Sequence, residues 1–224
     1  MPRFRRLVVP GYPHHVTQRG SRRQLTFFED ADYSAYRDLL AEQLPKANVD
    51  LLAYCLMPNH VHLILIPHRV DSLARLLRKT HARYARRTNL KYDWQGHLWQ
   101  ERFHSFVMDE EHLLAAGRYV ELNPVRAGLC QRANEWPWSS VHFHMHDRAD
   151  ELVTAGGMRT YVGNWRTYLD EDLTTTEIDT LRSHSRNGHP AGCLRFITDL
   201  ETLTGRRLVP AKRGPKRKRE SPGT

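Results

Sequence analysis

Cysteine is scarce in this 224-residue chain. Cys55, Cys130 and Cys193 are odd in number and far apart. They imply no disulfide framework and no cysteine zinc site, and a reducing compartment is the expectation. Long apolar runs are missing as well. The longest near the start is Leu7-Val8-Val9, which Pro10-Gly11 ends. Neither a signal-peptide core nor a membrane-crossing span is expected. The sequence has no internal repeat. The aromatic signature of RNA-binding sheets is not apparent either.

Acids are in deficit: 25 Asp and Glu face 34 Lys and Arg, a formal net charge of +9. An anionic partner is the first inference, and nucleic acid is the commonest one. The excess is unevenly placed. Residues 206–224 hold eight basic side chains and one acid, a net +7, and the other 205 residues carry only +2. With 40% hydrophobic residues, most of the chain should fold, as one substantial core with an appendage.

The order of elements is readable from periodicity. His14 to Arg19 reads as a short strand behind a basic arm with Arg3, Arg5 and Arg6. Asp30 to Gln43 reads as a helix, with Tyr33, Tyr36, Leu39, Leu40 and Leu44 at helical spacing. Val49 to Met57 and His60 to Pro67 read as strands apolar on both faces, as in a sheet covered on both sides. Asp71-Ser72 is expected to cap a helix running to about Arg87. Leu98 to Met108 reads as a fourth strand. Asp109 then caps a helix from Glu110 to about Asn123, which Pro124 should stop. This strand, helix, strand, strand, helix, strand order is a split βαβ. It implies an α+β, ferredoxin-like, four-stranded antiparallel sheet with packed helices. The first and third strands are neighbours in that topology, which brings His15 near His60 and His62. A hydrogen-bonded structural histidine is the plainer reading of His15. Further on, Thr174-Thr175-Thr176-Glu177 is a capping box. Two short helices around the loop 186–192 read as a plain helical pair, since that loop is longer than a helix-turn-helix uses.

Two stretches carry chemistry. In Met57-Pro58-Asn59-His60-Val61-His62 the histidines are two apart at the start of a strand. Strand side chains alternate, so His60 and His62 share a face with Cα atoms roughly 6–7 Å apart. Two imidazoles there can share a metal ion, or can simply be two histidines of a core or surface. In Tyr119-Val120-Glu121-Leu122-Asn123-Pro124 the tyrosine and asparagine are four apart on a helix. Both can face one way, although the residue before a proline is steered from helical geometry. Tyr119 beside an amide oxygen that completes a His-His site would be a coherent reaction centre, or Tyr119 simply packs. The helix near residues 72–87 carries Arg75, Arg78, Lys79, Arg83, Arg86 and Arg87 with no acid after Asp71, a face suited to phosphates.

His60-Val61-His62 resembles the His-hydrophobic-His signature of HUH single-strand nucleases. Three ordered motifs resemble the REP-associated tyrosine transposases, relatives of the single-tyrosine insertion-sequence transposases. They are Pro13-His14-His15-Val16-Thr17-Gln18-Arg19-Gly20, Tyr54-Cys55-Leu56-Met57-Pro58-Asn59-His60-Val61-His62, and Tyr119-Val120-Glu121-Leu122-Asn123-Pro124-Val125-Arg126-Ala127-Gly128-Leu129. Trp136-Pro137-Trp138-Ser139-Ser140 also fits, and the likeness covers about residues 8–145. It implies His60 and His62 as metal ligands, Asn123 as the third, and Tyr119 as nucleophile. It further implies Mg²⁺ or Mn²⁺ as the ion, single-stranded or hairpin DNA as partner, and cleavage and rejoining through a 5′-phosphotyrosine.

On this reading residues 1–145 form the transposase domain, 146–209 a helical extension and 210–224 a disordered basic tail. Arg19 and Arg126, the basic helix, and Lys212, Arg213, Lys216 and Arg217 of the tail are expected to contact DNA. The protein would be a monomer or homodimer, without membrane association, in a bacterial cytoplasm near the nucleoid. Two other classes stay open: a non-catalytic DNA or RNA hairpin-binding protein on the same fold, and a zinc hydrolase using the two histidines. The latter lacks a convincing carboxylate base nearby.

Overall fold

The structure is a computed structural model that describes residues 6–146, 148–154, 156–171 and 173–209. Arg3 and Arg5 of the basic arm, and the tail cations Lys212, Arg213, Lys216 and Arg217, lie outside the described residues.

Four strands, β1 (His14–Arg19), β2 (Val49–Met57), β3 (His60–Pro67) and β4 (His104–Val107), form one sheet. Their order is β2-β3-β1-β4, and every pairing is antiparallel. The first and third strands are therefore neighbours, as the element order implies. Thr17 lies opposite His62 and Arg19 opposite His60.

Alternation along β3 explains why the strand reads apolar throughout. Val61, Leu63 and Leu65 enter a core with Val16, Tyr36, Leu40, Leu76 and Tyr84. That core lies under α1 (Asp30–Ala47) and α2 (Ser72–Tyr92). Ile64 enters a second core on the other face, with Phe106, Leu113, Ala116, Tyr119, Trp165 and Leu181. Each buried side chain of this kind stabilises the fold by about 1.5–3 kcal/mol, and a sheet covered on both faces needs such residues on both.

Several boundaries differ from the sequence reading. The fourth strand is shorter than Leu98 to Met108. Glu101 adopts a left-handed φ of 54°, which a strand does not accommodate. The upstream segment meets β1 through an isolated Gly20–Trp99 bridge and is held further by the Gln18 side chain donating to the Gln100 carbonyl and by buried Leu98. α2 runs five residues past Arg87 to Tyr92, and the Asp71 side chain makes no capping hydrogen bond. It instead faces Arg69 and Arg75, at 3.7 and 3.9 Å.

α3 (Glu110–Glu121) is capped as expected, with the Asp109 carboxylate accepting from the His112 N–H. Pro124 does not end the helical path. After a break at Leu122, Asn123–Arg126 form a separate turn, α4. Proline is tolerated there because a first-turn N–H has no partner to lose. Tyr119 and Asn123 thus sit on successive helices rather than one.

Beyond residue 140 come α5 (Val141–His146), α6 (Trp165–Asp170), α7 (Thr175–Asn187) and α8 (Leu194–Thr204). The Thr174–Glu177 capping box opens α7. Trp165 lies against α3 at Gly117, where a Cβ would stand 2.7 Å from the indole, so glycine is required for that approach. Leu200 of α8 packs in a separate cluster with Leu7, Val9 and Val107. Among the described residues no helix is long and apolar enough to cross a membrane.

Candidate active site

β1 and β3 present His15, Thr17, Arg19, His60 and His62 to one cleft of about 610 Å³, whose wall also holds Tyr119, Asn123 and Arg126. The His60 and His62 rings are 4.8 Å apart between centroids. His60 Nδ1 lies 2.6 Å from the Asn59 amide oxygen. An amide oxygen only accepts, so His60 Nδ1–H donates and the Nε2 lone pair is left for the site. His62 Nδ1 lies 2.9 Å from His15 Nε2. When His62 donates in that bond, its Nε2 is likewise free to bind a cation.

α3 brings Tyr119 over this pair. Its ring centroid is 5.8 Å from that of His62 and 6.2 Å from that of His15. Arg126 holds the ring from the next turn. Its guanidinium carbon is 3.9 Å from the Tyr119 centroid, its Nη1 donates to the Tyr119 carbonyl at 2.8 Å, and its Nη2 donates to Asn123 Oδ1 at 3.2 Å. Leu122 stays in the right-handed helical region between α3 and α4, so Asn123 and Arg126 follow one and two turns after the tyrosine and reach it from there.

The imidazoles are held neutral. Burial pushes His60 down to about 3, with Arg19 adding to it. Burial pushes His15 to about 3, with Arg126 adding. His62 is lowered well below the ordinary histidine value by burial first, then by His60, His15, Arg126 and Arg19. Arg19 is itself lowered by burial and by Arg23. A neutral imidazole is a ligand rather than an acid, and the field around it is positive.

The donor set fits a divalent metal ion. His60, His62 and Asn123 line one cleft, and the Asn123 Nδ2 is buried without a hydrogen-bond partner among the described residues. Asn123 Oδ1 keeps a second lone pair beside its bond to Arg126. Among the described residues no group of three His, Cys, Asp or Glu assembles. Glu101 is the one acid among the described lining residues of the cleft, so little negative charge offsets an ion here, and a phosphate that entered with it would strengthen binding.

Glu121, two residues along α3 from Tyr119, carries no signal in the sequence that singles it out. Its carboxyl is fully buried and accepts from Ser140 Oγ at 2.6 Å, Trp165 Nε1 at 2.8 Å, and His144 Nδ1. Ser140 in turn accepts from the Tyr54 N–H of β2. This network ties the helix that carries Tyr119 to the sheet and to α5 and α6.

The cations expected on α2 are elsewhere. Leu73, Leu76, Leu77 and Tyr84 of that helix pack in the core on the opposite side of the sheet from Ile64 and Tyr119. Arg83 pairs with Glu42, Arg87 with Asp32 at 2.9 Å and Arg75 with Asp71, while Arg78, Lys79 and Arg86 line open grooves on that side. The structure brings together Arg19, His60, His62, Tyr119, Asn123 and Arg126, and it places the α2 cations across the sheet from them.

Residues 8–123 match the family model described as Transposase IS200 like, more than half of the chain. The REP-associated tyrosine transposase of Escherichia coli K12 is 23% identical over 145 residues, covering 63% of this chain and 84% of that protein. A Haemophilus influenzae protein provisionally assigned to the same class is 27% identical over 139 residues, covering 57% and 76%. A solved REP-associated tyrosine transposase bound to a REP hairpin shares the fold at a TM-score of 0.57 and 19% identity, covering 70% of this chain and 97% of its own. The chain belongs to the IS200-like transposase family, and the relatives it resembles are REP-associated tyrosine transposases.

Proposed function

We propose that this protein cleaves and rejoins single-stranded DNA beside a palindromic hairpin, with Tyr119 as the nucleophile. The observation that carries the reading is the approach of the Tyr119 ring to within 5.8 Å of His62, between centroids, in a cleft rich in arginine. The hairpin as target class is taken from the solved relative, which is bound to a REP hairpin.

His60, His62 and Asn123 would hold a Mg²⁺ or Mn²⁺ ion, the hard choice for a site completed by amide and water oxygens. Such an ion, when bound, polarises the phosphodiester and offsets its developing charge. Arg126 fixes the Tyr119 ring and its backbone, which sets the direction of the phenol oxygen. Arg19 and Arg126 offer cations to the phosphate oxygens. Tyr119 Oη bonds to phosphorus as the P–O3′ bond breaks. The phenol proton is lost to solvent, and the departing 3′ oxygen gains one to become a hydroxyl. The downstream strand remains on the protein as a 5′-phosphotyrosine. One ester replaces another, so the reverse attack by a 3′-hydroxyl rejoins DNA without ATP.

The catalytic unit on this reading is residues 1–145, with 146–209 as an extension, working near the nucleoid of a bacterial cytoplasm. End chemistry tests it. A single-stranded hairpin oligonucleotide labelled upstream of the break should release a fragment that a polymerase extends, and the downstream fragment should migrate with protein on a denaturing gel. A 3′-phosphate on the released fragment, or two protein-free fragments, contradicts the reading.

A further inference from the structure

The family match ends at residue 123, yet the cleft does not. Leu181, Arg182, Ser185 and Arg186 of α7 line the same cleft as His60, His62 and Tyr119. We infer that α7 is the outer wall of the DNA channel, and that Arg182 and Arg186 bind the phosphates of the single strand running past the Tyr119 centre. The inference rests on the proposed reaction and extends it to a part of the chain outside the family match.

Position comes first. Leu181 is buried in the core that holds Tyr119, Ile64 and Phe106. One turn on, the Ser185 hydroxyl meets that of Thr17, on β1, at 3.4 Å. The N-terminal end of α7 is tied to α3 where Arg118, next to Tyr119, donates to Glu177 at 2.9 Å. Past its C-terminal end, Ala191 exchanges backbone hydrogen bonds with Val107 and Asp109, and the Asp109 carboxylate accepts from the Cys193 N–H. Held at both ends, α7 is a fixed wall over the histidine face of the sheet.

Charge comes second. Among the described residues the cleft is lined by Arg19, Arg23, Arg126, Arg182 and Arg186 with a single acid, Glu101. Arg182 lines the same cleft as Arg126. Its own partner is Asp179 at 3.8 Å, an exposed contact of the kind that contributes little. Arg182 and Arg186 are one helical turn apart, a rise of about 6 Å, and both side chains are exposed. A concentration of guanidiniums in a cleft raises the local density of anions, and along a helix edge it suits a linear polyanion. A sequence-independent grip on phosphates complements the base and shape reading that a hairpin needs elsewhere.

The test uses the full chain carrying Tyr119→Phe, so that no probe is consumed, and single-stranded dT20, which has no hairpin. Arg182→Ala/Arg186→Ala should weaken dT20 binding about tenfold at moderate salt. It should also reduce the slope of log affinity against log salt by about 1.4, the value for two phosphate contacts on a single strand. A charge-matched control, Arg195→Ala/Arg207→Ala, removes two exposed cations outside the cleft and should change both far less. The melting temperature of either variant should match that of its parent. An unchanged salt slope, or a loss no larger than the control's, overturns the role of α7 and leaves the Tyr119 reaction standing. Failure of the parent to bind dT20 and hairpin DNA alike would remove the proposed function and this inference with it.

Discussion

His15 and His62 share a hydrogen bond of 2.9 Å between Nε2 and Nδ1, with their rings stacked at 5.1 Å. The bond joins two strands and selects which nitrogen of His62 faces the cleft. When His62 Nδ1–H donates, His15 accepts at Nε2 and carries its own hydrogen on Nδ1, an atom buried without a hydrogen-bond partner among the described residues. The stranded group is the cost of orienting His62.

His15→Ala should therefore lower the affinity for Mn²⁺ by about 10–100-fold, the usual effect of removing the group that orients a ligating histidine. Titration of Mn²⁺ followed by its paramagnetic resonance signal, with and without bound DNA, reads this directly. DNA should raise the affinity of the parent, because phosphate offsets the positive field of Arg19 and Arg126. Parent-like Mn²⁺ binding by His15→Ala would make the contact structural only.

Buried neutral histidines predict acid lability. Burial brings His81 to about 3 and His14 to about 4. His81 bonds the Tyr36 hydroxyl, and His14 is fixed between the Val9 N–H and the Tyr12 carbonyl. Both are depressed below the unfolded value of 6.5. Their stability contribution is complete above pH 6.5 and is lost as the pH falls towards the folded values, since only the unfolded chain takes up the proton. The loss should reach about 2 kcal/mol for each by pH 5. Urea midpoints across pH 5–7 measure it, and His81→Gln should flatten the curve. An equally steep curve for that variant would assign the lability to other groups.

Glu121→Ala should destabilise by about 2–5 kcal/mol, because it strands the buried donors of His144 and Trp165. Denaturant unfolding gives the number. A loss below 1 kcal/mol would mean that the network contributes little to holding α3.

The cations of α2 divide into two kinds. Asp32 is fully buried and is held by Arg87, Lys91 and the Phe28 N–H, so Arg87→Ala should lower the melting temperature and spare DNA affinity. Arg78→Ala/Lys79→Ala should do the reverse if this face meets phosphates, flattening the salt dependence of hairpin binding. Truncation at Pro210 should flatten it further by several charge equivalents. Unchanged slopes in both would confine DNA to the Tyr119 face.

Much of this site is legible in the sequence, for physical reasons. His60 and His62 share a face because any strand alternates, and β1 lies beside β3 because the order of elements admits that topology. The bond from His15 to His62 depends on register, and no local signal reports register. Nothing near residue 182 announces that Leu181 docks beside Tyr119, although the i, i+4 spacing of Arg182 and Arg186 is visible. The pairing of α2 with Asp32 and Glu42 depends on which acids of α1 face it, so a helix that reads as an open basic surface is partly neutralised from across a helix contact.

The central claim is that Tyr119 forms the covalent bond to DNA. Protein and hairpin DNA are incubated with Mn²⁺, the adduct is trapped and digested, and mass spectrometry locates the nucleotide. The account predicts a 5′-phosphonucleotide on Tyr119 and no adduct from Tyr119→Phe, whose fold and DNA affinity should match the parent. A nucleotide on Tyr84, Tyr92 or any other residue, or full cleavage by Tyr119→Phe, would contradict it.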